Sequence, residues 1–127
     1  MGQLFYGTTS ESIQIPDRLL SHLKVVATTK LRRSESFTLS WAHVDGIPGR
    51  STIWLQPAIP MRFVFDSAEP EALNPRVLKD MADMANSSAG LVVDLNAEIP
   101  KAEAPARAAA TRGTAPAARR PSLSVAA

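Results

Sequence analysis

Two histidines, His22 and His43, and a pair of carboxylates three residues apart, Asp80 and Asp83, are the groups in this sequence suited to proton transfer or metal ligation. A zinc site or a catalytic triad needs further ligands or an orienting acid at set spacings. Neither histidine stands in a His-x-x-x-His or Glu-x-x-His pattern. The chain has no cysteine, so thiolate ligands, cysteine nucleophiles and disulfides are excluded. Both histidines read as ordinary surface residues, His22 at the edge of a helix stripe and His43 in a loop. Asp80 and Asp83 would serve acid–base work only if their surroundings shifted one of them, and nothing in the sequence does so. They read as part of a solvated helix face. Gly46-Ile47-Pro48-Gly49-Arg50 is glycine-rich and basic, but it lacks the spacing and the Lys-Ser/Thr ending of a phosphate-binding P-loop. A connection between strands accounts for it. The residues therefore point away from catalysis and call for no metal and no cofactor.

Binding chemistry is better represented. Lys30, Arg32 and Arg33 form a short basic cluster that could touch a phosphate backbone or equally well cap a helix end. Arg50, Trp54 and Arg62 fall at alternating positions of two strand-like segments, which puts them on one sheet face. Arginine can hold phosphates there and an indole can stack a base. The competing reading is a solvated face whose Trp54 packs against a neighbouring strand or an arginine stem. The remaining cations, Arg107, Arg112, Arg119 and Arg120, lie in the last stretch of the chain.

That stretch differs in composition from everything before it. Residues 97–127 are rich in Ala and Pro, have no aromatic residue and carry a net charge of +3, whereas residues 1–96 carry −1. Such a segment cannot bury enough apolar surface to offset the entropy of ordering. It reads as a disordered basic tail, either inert or able to hold nucleic acid weakly and without sequence preference. The chain thus divides into a compact domain, 1–96, and a tail, 97–127. No apolar run approaches the length needed to cross a bilayer, and the N-terminal residues lack the pattern of a secretory signal. A cytoplasmic protein without a membrane partner is expected.

The elements that must position these side chains follow from periodicity. Gln3–Tyr6 and Ser12–Ile15 are short β-prone segments joined by a polar linker of hairpin length. Pro16-Asp17 opens a helix, with apolar residues Leu19, Leu20, Leu23, Val26, Ala27 and Leu31 forming one stripe. Phe37, Leu39 and Trp41 alternate with Ser36, Thr38 and Ser40, a strand pattern. Strands are also read at Ser51–Leu55 and from Met61 to Phe65. Asn74-Pro75 is a cap followed by a first-turn proline, and it opens a second helix whose stripe includes Val77, Leu78 and Met81. Gly90 is placed to take a left-handed conformation before a last strand, Leu91–Leu95. The order β-β-α-β-β-β-α-β predicts an α+β two-layer sandwich, a mainly antiparallel sheet with both helices on one face.

Several blocks also stand in an order that resembles a family of small uncharacterised actinobacterial proteins. They run from Gln3-Leu4-Phe5-Tyr6-Gly7 through Lys30-Leu31-Arg32-Arg33-Ser34-Glu35-Ser36-Phe37 and Gly49-Arg50-Ser51-Thr52-Ile53-Trp54-Leu55 to Ala89-Gly90-Leu91. The resemblance covers roughly residues 1–95. Members of that family often carry the label ATP-dependent DNA ligase, so the resemblance implies a link to DNA. The ligase pattern itself, Lys-x-Asp-Gly, has its nearest match at His43-Val44-Asp45-Gly46, with His43 where the nucleophilic lysine belongs.

The expectation is a non-catalytic module associated with DNA or RNA, touching it through Lys30, Arg32, Arg33, the Arg50/Trp54/Arg62 face and the tail. The alternative is a protein-interaction or assembly module, homodimeric or built with another protein. A third reading, ligase-like adenylyl transfer, follows only from the family label.

Overall fold

The computed structural model describes residues 1–8 and 10–100, so Arg107, Arg112, Arg119 and Arg120, with the rest of 101–127, lie outside the described residues. The elements are β1 (Gly2–Tyr6), β2 (Ser12–Ile15), α1 (Asp17–Arg32), β3 (Phe37–Ala42), β4 (Arg50–Leu55), β5 (Met61–Val64), α2 (Pro75–Ala85) and β6 (Leu91–Val93). The fold is α+β.

Local chemistry accounts for the helix boundaries. Asp17 lies in the first turn of α1 and Lys30 and Arg32 in its last, each matching the sign of the helix dipole there. The Asp17 carboxylate also accepts from the main-chain N–H groups of Asp66 (3.0 Å) and Ser67 (3.2 Å), which ties the exit of β5 to the start of α1. At α2, Asn74 Oδ1 accepts from the N–H of Arg76 (3.0 Å) and Val77 (3.4 Å), and Pro75 takes the first helical position, where no N–H is needed.

The strands divide between two sheets instead of sharing the single sheet expected. One has the order β2-β1-β5 and is antiparallel throughout. The other has the order β4-β3-β6, with β3 antiparallel to β4 and parallel to β6. The reason lies in the connection between β4 and β5. It contains Pro57 and Pro60, which have no N–H to give to a hairpin ladder, and the Pro60 carbonyl instead accepts from Gly7 N–H (2.9 Å) at the end of β1. β5 therefore continues the first sheet. β6 returns beside β3 only after the long crossover through α2, as a parallel partner requires.

α1 packs against β1 and α2, and α2 packs against β3 and β6, so the helices join the two sheets around one core. Leu4, Leu20 and Leu23 fill it from the first sheet's side, and Leu39, Leu55 and Leu91 from the second's. The pleat follows the alternation. Phe37, Leu39 and Leu55 are buried, while Arg50, Thr52, Trp54 and Arg62 are exposed. Gly90 is required where it stands: its φ is +80°, and a Cβ there would lie 1.9 Å from Thr38 Oγ1. Past the compositional boundary at 96, the chain stays on the domain. Ile99 packs against the core, its carbonyl accepts from Arg18 Nη1 (2.9 Å), and the Pro100 carbonyl accepts from Asn74 Nδ2 (3.4 Å).

Candidate functional site

Trp54 stands near the end of β4, opposite Thr38 on β3, with its side chain on the polar pleat. It is 57% exposed, and its indole N–H has no hydrogen-bond partner among the described residues. Its carbonyl accepts from the Tyr6 hydroxyl, a bond that links the two sheets and holds this part of β4 against β1. Beside the ring lies a groove of about 240 Å³, lined by Ser36 and Thr38 of the β3 segment, by Lys30, and by Asn86, Ser87 and Ser88 beyond α2. The groove presents hydroxyl and amide groups beside the exposed Trp54 ring, with the buried Phe37 also in its wall. Such a surface can take a flat polar ring by stacking and edge hydrogen bonds.

The basic cluster separates into three different situations. Lys30 is buried, with 11% of its side chain exposed. Its Nζ donates to Asn86 Oδ1 (2.6 Å), lies 3.2 Å from Glu35 Oε1 and stands 5.9 Å from the centre of the Phe37 ring. Arg33 Nη2 is 3.3 Å from the other Glu35 oxygen, so Glu35 bridges the two cations. Arg32 is exposed and pairs with no carboxylate among the described residues. The structure therefore brings Lys30 and Trp54 to one groove, with Arg33 linked to them through Glu35. Arg50 shares the outer pleat of the same sheet, four residues along β4 and so about 13 Å away at the strand rise. Arg62 belongs to the other sheet, where its guanidinium lies 5.7 Å from the centre of the Phe5 ring.

The histidines have structural partners. His22 is fully buried, which corrects its reading as a surface residue. Its Nε2 accepts from Asn74 N–H (2.9 Å), so Nδ1 carries the proton and donates to the Arg18 carbonyl (2.7 Å). The ring thereby connects α1 to the cap of α2. The sequence signal was present: His22 sits between Leu19 and Leu23 and four residues before Val26, inside the apolar stripe and not at its margin. His43 stays in its loop, where Nδ1 donates to the Pro48 carbonyl (3.0 Å) and Nε2 accepts from Ser51 Oγ (2.7 Å). The lone pair that a nucleophile would need is thus engaged at the position where the ligase pattern has its lysine.

Residues 1–96 match the domain of unknown function DUF7882. The chain belongs to the DUF7882 family. No curated protein and no solved structure matches it. Among the described residues of this DUF7882 domain, no group of three or more His, Asp or Glu side chains could hold a metal ion, and no helix is long and apolar enough to cross a membrane. Asp83 of the Asp80/Asp83 pair forms an ion pair with Lys79 (2.9 Å), and this hydrogen bond raises the Lys79 ammonium above its ordinary value. The Met1 amine is likewise raised by its hydrogen bond to Asp66. Neither raised group lines the Trp54 groove.

Proposed function

We propose that this DUF7882 domain is a non-catalytic, cytoplasmic module that binds nucleic acid, using Trp54 as a stacking platform. The observation that carries the reading is the exposed, unpartnered indole at the edge of a groove of hydroxyl and amide groups. Single-stranded segments suit it, because only an unpaired base can lay its face on a side chain. Arg33 and Arg50 would supply phosphate contacts on either side. Arg107, Arg112, Arg119 and Arg120 would add a salt-sensitive attraction outside the groove.

The test is fluorescence anisotropy with single-stranded and duplex oligonucleotides on the full chain at low and moderate salt. Stacking of one base is worth roughly 1–3 kcal/mol, so Trp54→Ala should weaken single-strand binding about tenfold or more. Replacing the four distal arginines by serine should flatten the salt dependence. The reading fails if the full chain binds neither oligonucleotide at low salt.

A second reading is favoured by a different feature of the same sheet. Val92 on β6 is 51% exposed and lies on the same outer pleat as Trp54, with β3 between them. Two exposed apolar side chains on one three-stranded sheet suit self-association. A mass by light scattering that rises with concentration, and falls back in Trp54→Ala, would favour assembly. A monomer at all concentrations would remove that reading.

A further inference from the structure

We propose that the open edge of β5, together with the apolar cleft beside it, accepts an extended acidic peptide from a partner protein as an added strand. The inference does not depend on nucleic-acid binding and uses a surface on the other sheet.

The first observation is the edge itself. In the order β2-β1-β5, β5 has a neighbour on one side only. Gly7 N–H donates to the Pro60 carbonyl (2.9 Å), which fixes the alternation of the antiparallel ladder. Counting from that bond through the register Tyr6↔Met61, Phe5↔Arg62 and Leu4↔Phe63, the main-chain groups of Arg62 face β1. Those of Met61 and Phe63 face outward. Two N–H groups and two carbonyls are thus directed at the position a further strand would occupy.

The second observation is the space beside that edge. A cleft of about 510 Å³ lies between the second half of α1 and the β4–β5 connection, with Leu31, Ile59, Met61 and Phe63 among its walls. Its size falls within the roughly 300–1,000 Å³ of sites that take sizeable ligands. The cleft exists because the strands split into two sheets. Met61 and Phe63 point to the core side yet remain half-buried, since no fourth strand continues this sheet past β5. A groove bounded by a helix and an edge strand supports strand addition, where main-chain bonds give affinity and alternate side chains enter the cleft.

The third observation selects the partner. Among the described residues, Arg32 is the only charged one in the wall of the cleft, and Arg62 projects from the opposite face of β5. Neither pairs with a carboxylate among the described residues, and β5 itself contains no acid. A second copy aligned on this edge would gather two Arg32 and two Arg62 at one seam with nothing on the strand to offset them. A peptide alternating apolar and acidic residues sends its apolar side chains into the cleft and its acids to the face of β5 that carries Arg62.

The experiment uses the isotope-labelled full chain and the synthetic peptide acetyl-Asp-Leu-Glu-Val-Asp-Leu-amide, with a Lys-for-acid peptide as control. The acidic peptide should bind and slow hydrogen exchange at the amides of Met61 and Phe63. The amides of Arg62 and Val64, already in the ladder, should change little. Arg62→Glu should weaken binding about tenfold, as expected for a lost charge pair beside the added strand. The proposal is overturned by equal binding of the lysine peptide, by binding that leaves the Met61 and Phe63 amides unprotected, or by no binding at all. It is also overturned if those amides are protected in a concentration-dependent dimer, or if a synthetic peptide of residues 101–127 occupies the edge instead.

Discussion

His22 joins two helices through main-chain groups on both sides of its ring, so its removal does more than open a cavity. His22→Ala should lower stability by about 2–4 kcal/mol, combining lost packing with the loss of the ring's bonds to the Asn74 N–H and the Arg18 carbonyl. His22→Leu refills the volume but not the bonds and should recover only part of the loss. Urea unfolding measures both, and a change below about 0.5 kcal/mol for His22→Ala would contradict the role assigned to the ring. The basic cluster makes the same point about position. Lys30→Ala should destabilise, because Asn86 and Glu35 lose the cation between them, whereas Arg32→Ala should stay within about 0.5 kcal/mol. In sequence Lys30 and Arg32 are two positions apart and look alike. The turn of the helix decides that Lys30 comes under the Phe37 ring and Arg32 does not, and a run of like charges carries no mark of that difference.

At the scale of elements, much of this fold could be read before seeing it. Asn74-Pro75 announced α2 by chemistry confined to four residues, and the cap bonds to Arg76 and Val77 are the expected ones. Asn74→Ala should accordingly cost about 1 kcal/mol in thermal or urea unfolding. Gly90→Ala should cost more than that, since both the positive φ and the nearby Thr38 hydroxyl oppose a Cβ. The alternation of β3 and β4 likewise put Trp54 and Arg50 outside and Leu39 and Leu55 inside, because a pleat is a property of the strand alone. The partition of strands was not legible. Which strand pairs with which depends on contacts such as Gly7 with Pro60, more than fifty residues apart, and no local pattern encodes them. Arg62 was for that reason grouped with Trp54, although it stands on the other sheet.

For the whole molecule, two sheets do not make two independent units, because α1 and α2 touch each other and each covers a sheet. Unfolding should be a single cooperative transition. Leu4→Ala in one sheet and Leu39→Ala in the other should each lower that same transition by about 2–5 kcal/mol, since both side chains are fully buried. Circular dichroism and tryptophan fluorescence should report coincident midpoints, and separate midpoints would show that the sheets melt apart. The parallel placement of β6 beside β3 has a consequence for biosynthesis. A ribosome has delivered β1, β2, α1 and β5 well before Leu91 emerges, so the first half of the architecture can close while the chain is still being made. The central strand of the other half must wait, one flank bare, until the final described strand leaves the exit tunnel.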